Sequence, residues 1–425
     1  MLIQDHFPSM VRWASVLGTA LLALGCGLAN KPSSQKKPAA PVFEPPAPEA
    51  AAASDLVKTG AKLVEQFECG RCHDGTNIVP APTNKHCVHC HQEIHAGTFE
   101  ADAETLAEWQ SHIVHLTRVP ELVGTSRWRR TWLATFLQQP HDLRPGLDAT
   151  MPRLEIEPEQ AEALAAFLSP EAEATPSASW ADADLRQGKL LLKHKGCMTC
   201  HKFTGAGELP AGELAVAVDE ATLAQGTRMA PDLRYTRERM RPASLLTWLE
   251  NPQAVKPKSL MPNFKLSATQ ARDIAAFVLT APLEPLPPIA IPDRLPVLDR
   301  EVRYPEVETR VFKKICWHCH SDPDYALGDG GPGNTGGFGF RAHRLDLASY
   351  EGIASGFVND KGERESVFKK LPDGTPKVVA HMMARYSEVA GKPIEGVEGM
   401  PMGLPPMSLE EIQLVETWVS QGRPR

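Results

Sequence analysis

The chain has 425 residues, room for two to four domains, and a formal net charge of −7 with no concentrated basic stripe, which argues against a nucleic-acid partner and for a basic protein as electrostatic complement. Its 38 prolines, about 9% of the residues, favour loop-rich units joined by stiff linkers. Aromatic residues are only 6%, so a core of ordinary density needs apolar bulk from another source.

Arg12 precedes an apolar run from Trp13 to Leu24 that ends in Gly25-Cys26. This pattern is expected to be a signal peptide over residues 1–26 with a lipoprotein-type cleavage site, leaving a lipid anchor on Cys26. The run is too short to span a bilayer, which takes about 20 residues. Residues 27–54, rich in Pro and Ala without apolar periodicity, are expected to form a tether. The folded part is therefore expected outside the cytoplasm, at the periplasmic face of a bacterial membrane.

The first module, residues 55–170, opens with a helical stretch from Asp55 to Phe67, apolar at Leu56, Leu63, Val64 and Phe67. It runs into Cys69-Gly70-Arg71-Cys72-His73, and Cys87-Val88-His89-Cys90-His91 follows soon after. Both read C-x-x-C-H, the attachment signature of haem c: two thiols add to the vinyl groups and the adjacent imidazole binds iron. The two pairs alone could also form a four-Cys zinc site or a dithiol redox pair. The histidine after every pair in the chain favours haem. Met151-Pro152 precedes a second helical stretch, Glu159 to Leu168. The iron on His91 needs a ligand of its own, for which His115 is favoured, then His112.

After a linker at 171–181, the second module at 182–282 repeats the pattern. Gly188 stands nine residues before Cys197, as Gly60 does before Cys69, and the third motif is Cys197-Met198-Thr199-Cys200-His201. Pro231-Asp232-Leu233 answers Pro120-Glu121-Leu122, and Arg241, Leu245, Leu249 and Pro252 answer Arg129, Leu133, Leu137 and Pro140. Met261-Pro262 answers Met151-Pro152, and Phe277 answers Phe167. Arg129 and Arg241 are candidates to pair with haem propionates.

A Pro-rich linker at 283–305 leads to the third module, 306–425, with the fourth motif, Cys316-Trp317-His318-Cys319-His320. The glycine-rich run from Gly328 to Gly339 lacks the Lys-Ser/Thr ending of a phosphate loop and reads as a turn-rich loop. Met400-Pro401 then precedes an apolar helical ending through Ile412 and Trp418.

A leading helix, C-x-x-C-H, a Met-Pro loop and a closing helix resemble class I cytochromes c, over residues 55–170 and 182–282. The resemblance implies Met151 and Met261 as distal iron ligands, with Met229 competing against Met261. Met151 is assigned to the haem on His73, because a leading helix is a packing requirement whereas loop length is elastic. Leu345-Asp346-Leu347, Tyr350-Glu351 and the C-terminal stretch resemble planctomycete-type cytochrome c domains. That resemblance implies one haem there and Met400 as its distal ligand, with Met402, Met407, His343 and His381 competing. The expectation is a mainly α chain of three tandem cytochrome c-like modules, carrying four covalent haems and passing electrons between redox protein partners, a respiratory complex among the candidates. The alternative is a haem peroxidase or reductase with one open iron.

Overall fold

The computed structural model describes residues 48–75, 77–113, 115–170, 180–322 and 334–425. The expected signal peptide, Cys26, the tether up to residue 47 and most of the 171–181 linker lie outside the described residues. The chain is mainly α, as expected, and among the described residues one small hairpin pairs Phe357–Val358 to Arg364–Glu365. Among the described residues no helix is long and apolar enough to cross a membrane.

The first helix, α1, spans Pro48–Gln66 and so begins inside the expected tether. It crosses α2, Pro158–Leu168, whose start is fixed by Pro158 in its first turn and by a reciprocal Glu157–Gln160 capping box. Gly60 lies at the crossing, where any Cβ would meet the Ala163 carbonyl and Phe167. The second module builds the same crossing from α3, Leu185–His194, and α4, Ala268–Thr280. There Gly188 faces the Asp273 carbonyl and Phe277, and a Ser267–Gln270 capping box starts α4. The glycines nine residues before the first and third motifs are thus a requirement of close helix approach.

These two modules are not separate bodies. Leu63, Val64, Leu133, Leu137 and Leu164 belong to the same buried cluster as Leu191, Leu245, Leu249, Ile274 and Val278. The seam pairs equivalent positions of the repeat. Trp128 bridges Met240, the Arg129 N–H donates to the Arg239 carbonyl (2.8 Å), and the Arg241 N–H donates to the Arg127 carbonyl (3.0 Å). Each contact recurs with the two copies exchanged, which is the signature of a two-fold contact inside one chain.

The third module keeps its own core. A short helix, Tyr304–Val307, widens into a π-helical stretch, Glu308–Cys316, and packs against α5, Leu409–Ser420. Nine residues before its motif stands Val307, fully buried, in place of glycine. Trp418, also fully buried, is ringed by Phe312, Tyr304, Tyr350 and Phe368 at centroid distances of 5.6–6.2 Å. The Pro-rich linker is strapped to its neighbours: Glu284 N–H donates to the Gly205 carbonyl (3.0 Å) and Leu298 N–H to the Thr417 hydroxyl (3.0 Å). The third module also touches the first, through Thr150 N–H to the Gly403 carbonyl (2.8 Å) and Phe338 N–H to Glu68 (3.3 Å).

Candidate haem sites

The first and third motifs are built alike. Each begins in a single 3-10 turn, Cys69–Arg71 or Cys197–Thr199, entered through a left-handed residue, Glu68 or Gly196. The His73 and His201 N–H groups then close on the Cys69 and Cys197 carbonyls (2.9 and 3.0 Å). The two imidazoles are aimed by equivalent partners. His73 donates Nδ1–H to the Pro120 carbonyl (2.9 Å), and His201 donates Nδ1–H to the Pro231 carbonyl (2.8 Å). Leu122 N–H donates to the Asp74 carbonyl (2.7 Å) and Leu233 N–H to the Lys202 carbonyl (2.8 Å), locking each Pro-x-Leu segment beside its histidine. With Nδ1–H so engaged, each ring presents an Nε2 lone pair, the form that binds metal. Burial lowers the pKa of both rings and keeps them neutral. Pro120 therefore serves His73 and not His91.

The second motif stands on a different support, the regular helix Cys87–Ala96, capped by His86, whose Nδ1 accepts from the His89 N–H (3.1 Å). His91 donates Nδ1–H to the His115 carbonyl (2.8 Å), and burial, then the charge of His318, pushes its pKa down to about 4. That hydrogen bond corrects the expectation for His115. The residue supplies a main-chain oxygen behind the His91 ring, on the side away from Nε2, while its side chain lies 4.0 Å from Asp148. It is a brace for the proximal imidazole. His112 ends the helix Ala103–His112, and its side chain lies outside the described residues.

The Cys72 thiol is held well above its usual pKa range, first by a hydrogen bond with Cys87 and then by burial, so the first two motifs touch. Burial likewise pushes Cys69, Cys90 and Cys197 up to about 11 and Cys316 up to about 12. Among the described residues, the group close enough to hold a metal ion is Asp74, His86 and His89, not the four thiols of a zinc site. His86 caps its helix through Nδ1, which leaves the proton of the neutral ring on Nε2, facing Asp74 at 3.7 Å. His89 Nε2 hydrogen-bonds the same carboxylate at 2.9 Å, so Asp74 and His89 link the two motifs, while His86 Nε2 has no hydrogen-bond partner.

Met261 receives a hydrogen bond at Sδ from Trp248 Nε1 (3.0 Å). The equivalent of Trp248 in the first module is Phe136, which has no donor to offer Met151. Met151 and Met261 both pack against the shared core. In the third module, His320 closes on the Cys316 carbonyl (3.1 Å) and its own carbonyl accepts from Leu347 N–H (2.6 Å). Met407 is buried in the core there, and Met402 packs against the core of the other two modules. Met400 donates its N–H to the His381 carbonyl (2.9 Å). His343 and His381 donate Nδ1–H to the Val358 and Glu398 carbonyls (2.7 and 2.8 Å).

The two-fold seam holds a group of cations that the sequence reading did not single out. Arg239 is buried and Arg127 and Arg144 are partly so; burial pushes their pKa values down to about 9, 10 and 10, and Arg239 is further lowered by the other two. Arg127 reaches the Val123 carbonyl (2.8 Å) and Arg144 the Met229 carbonyl (3.1 Å), while Arg239 Nε has no hydrogen-bond partner. The charge of Arg144 is felt at His73 and that of Arg239 at His201. Three neighbouring guanidinium groups out of water require anions. Two propionates per haem are anions of the right kind, so these residues fit the group the motifs imply. Arg129 and Arg241, named above as candidate propionate partners, reach the Met240 carbonyl (3.2 Å) and the Ser169 hydroxyl (3.0 Å). The missed signal was an extension of the repeat: Arg127 answers Arg239, and Arg144-Pro145 answers Lys256-Pro257.

Residues 185–282 match the Cytochrome c family. No curated protein and no solved structure gives a significant match. The Cytochrome c domain contains the third motif, the Pro231 brace, Arg239 and Met261, and it implies covalently bound haem c and a haem-based role in electron transfer.

Proposed function

We propose that the chain is a tetrahaem c-type cytochrome that carries electrons between redox proteins, exported and held at the periplasmic face of a bacterial membrane through a lipid on Cys26. The supporting observation is the brace of the Cytochrome c domain, His201 to Pro231 and Leu233 to Lys202, which recurs at His73, Pro120, Leu122 and Asp74. Haem c, when bound, supplies an iron that accepts and returns one electron. The chain supplies the rest. Pro120 and Pro231 orient the proximal rings, Arg127, Arg144 and Arg239 neutralise propionates, and Met151 and Met261 cap the iron of the His73 and His201 haems. Met400 caps the His320 haem, a choice supported by the burial of Met407 and the outward packing of Met402. The four thiol pairs, Cys69/Cys72, Cys87/Cys90, Cys197/Cys200 and Cys316/Cys319, anchor the macrocycles.

Thioether ligation raises an iron potential above that of a bis-imidazole site. A redox titration of the full-length protein is therefore expected to resolve three higher-potential centres and one distinct low-potential centre, at the Cys87–His91 haem. Replacing Cys87 and Cys90 by Ala removes the low step alone. Four coincident midpoints would contradict the ligand scheme.

A further inference from the structure

The second motif needs an iron ligand opposite His91, and the structure brings an imidazole from far along the chain up to the His91 ring. The His91 and His318 ring centres lie 5.8 Å apart with planes inclined at 46°. His91 is pinned from behind, by its own bond to the His115 carbonyl and by Gln92 Nε2 donating to the Thr117 carbonyl (3.0 Å). Its Nε2 consequently faces away from residues 115–117. Two imidazoles on opposite sides of one metal have ring centres roughly 6 Å apart, from two metal–nitrogen bonds of about 2 Å plus the two ring radii. The observed spacing is that of such a pair. It is too long for stacked rings such as His86 and His89, whose centres are 3.6 Å apart.

We propose that His318, the residue between Cys316 and Cys319 of the fourth motif, is the distal iron ligand of the haem on His91. This rests on the haem reading of the second motif given above. Trp317 donates its indole N–H to the Lys313 carbonyl (2.8 Å), which fixes the turn Trp317–Cys319 that carries His318. His318 is exposed, whereas His91 is only 6% exposed, so the proximal ring is buried and the distal ring closes the site from outside. One side chain then belongs to two haem sites at once: it sits within the thiol loop of one macrocycle and binds the iron of another. That couples the first module to the third and places their two haems in immediate succession.

The test uses the full-length, matured protein. Haem is counted by pyridine haemochromogen, and iron ligation is read by EPR and near-infrared magnetic circular dichroism. The His318→Gly protein is expected to keep four haems, to lose the one bis-imidazole low-spin signal, and to gain one carbon monoxide-binding haem. Added imidazole restores the low-spin signal, and His318→Met converts the site to thioether ligation with a raised midpoint. A four-haem His318→Gly protein that retains the bis-imidazole signal overturns this ligand alone, as does loss of that signal in His112→Ala. A wild-type protein with no haem at Cys87 and Cys90 overturns the haem reading beneath it.

Discussion

The first two modules and the third solve the same problem with different packing. In the first two, a glycine nine residues before the motif lets the leading helix touch the closing helix, and one apolar core runs across both copies. In the third, that position is the buried Val307, the leading helix widens into a π-helix, and an aromatic ring around Trp418 fills the space. The same motif therefore stands on different supports, and the residues around it specify which. C-x-x-C-H starts in a 3-10 turn twice, lies on a regular helix once, and closes a π-helix once.

The strongest way to break the comparison is to exchange the crossing residues. Gly188→Val drives a side chain into the Asp273 carbonyl and is expected to cost about 3 kcal/mol or more of unfolding free energy in denaturant titrations. Val307→Gly acts in the opposite sense, opening a cavity in a filled core, at about 2–4 kcal/mol. Wild-type stability in Gly188→Val would remove the helix-crossing account. A subtler probe is Arg239→Gln, which takes a buried positive charge from beside His201. The midpoint of that haem is expected to fall by tens of millivolts, with about 59 mV corresponding to 1.4 kcal/mol for one electron, while the third module's midpoint stays put. The smallest expected effect comes from making the second copy resemble the first. Trp248→Phe removes the hydrogen bond on Met261 Sδ, and the midpoint is expected to drop by less than about 1 kcal/mol equivalent, toward that of the His73 haem.

Much of the local structure was legible in the sequence because it depends on short-range rules. Apolar periodicity, the glycine spacing and the Met-Pro turns place the helices of both copies, and the Pro-x-Leu repeat marks the segment that braces His73 and His201. What escaped depends on docking. Arg239 reads as an ordinary charged residue until Met240 pairs with Trp128 and removes it from water. His115 was read by its side chain, whereas the structure uses its carbonyl, and sequence carries no sign of which atom will be used. His318 lies more than two hundred residues from His91, and its position inside another motif hid it. The seam between the first two modules likewise follows from equivalent backbone groups meeting, which no side-chain pattern announces.

The central claim is that all four thiol pairs carry covalent haem, on whichever support they stand. Intact mass spectrometry of the matured, full-length protein tests it most directly. The account predicts a mass equal to the processed polypeptide and its lipid plus four haems. A mass showing haem only in the Cytochrome c domain, or none, would contradict it.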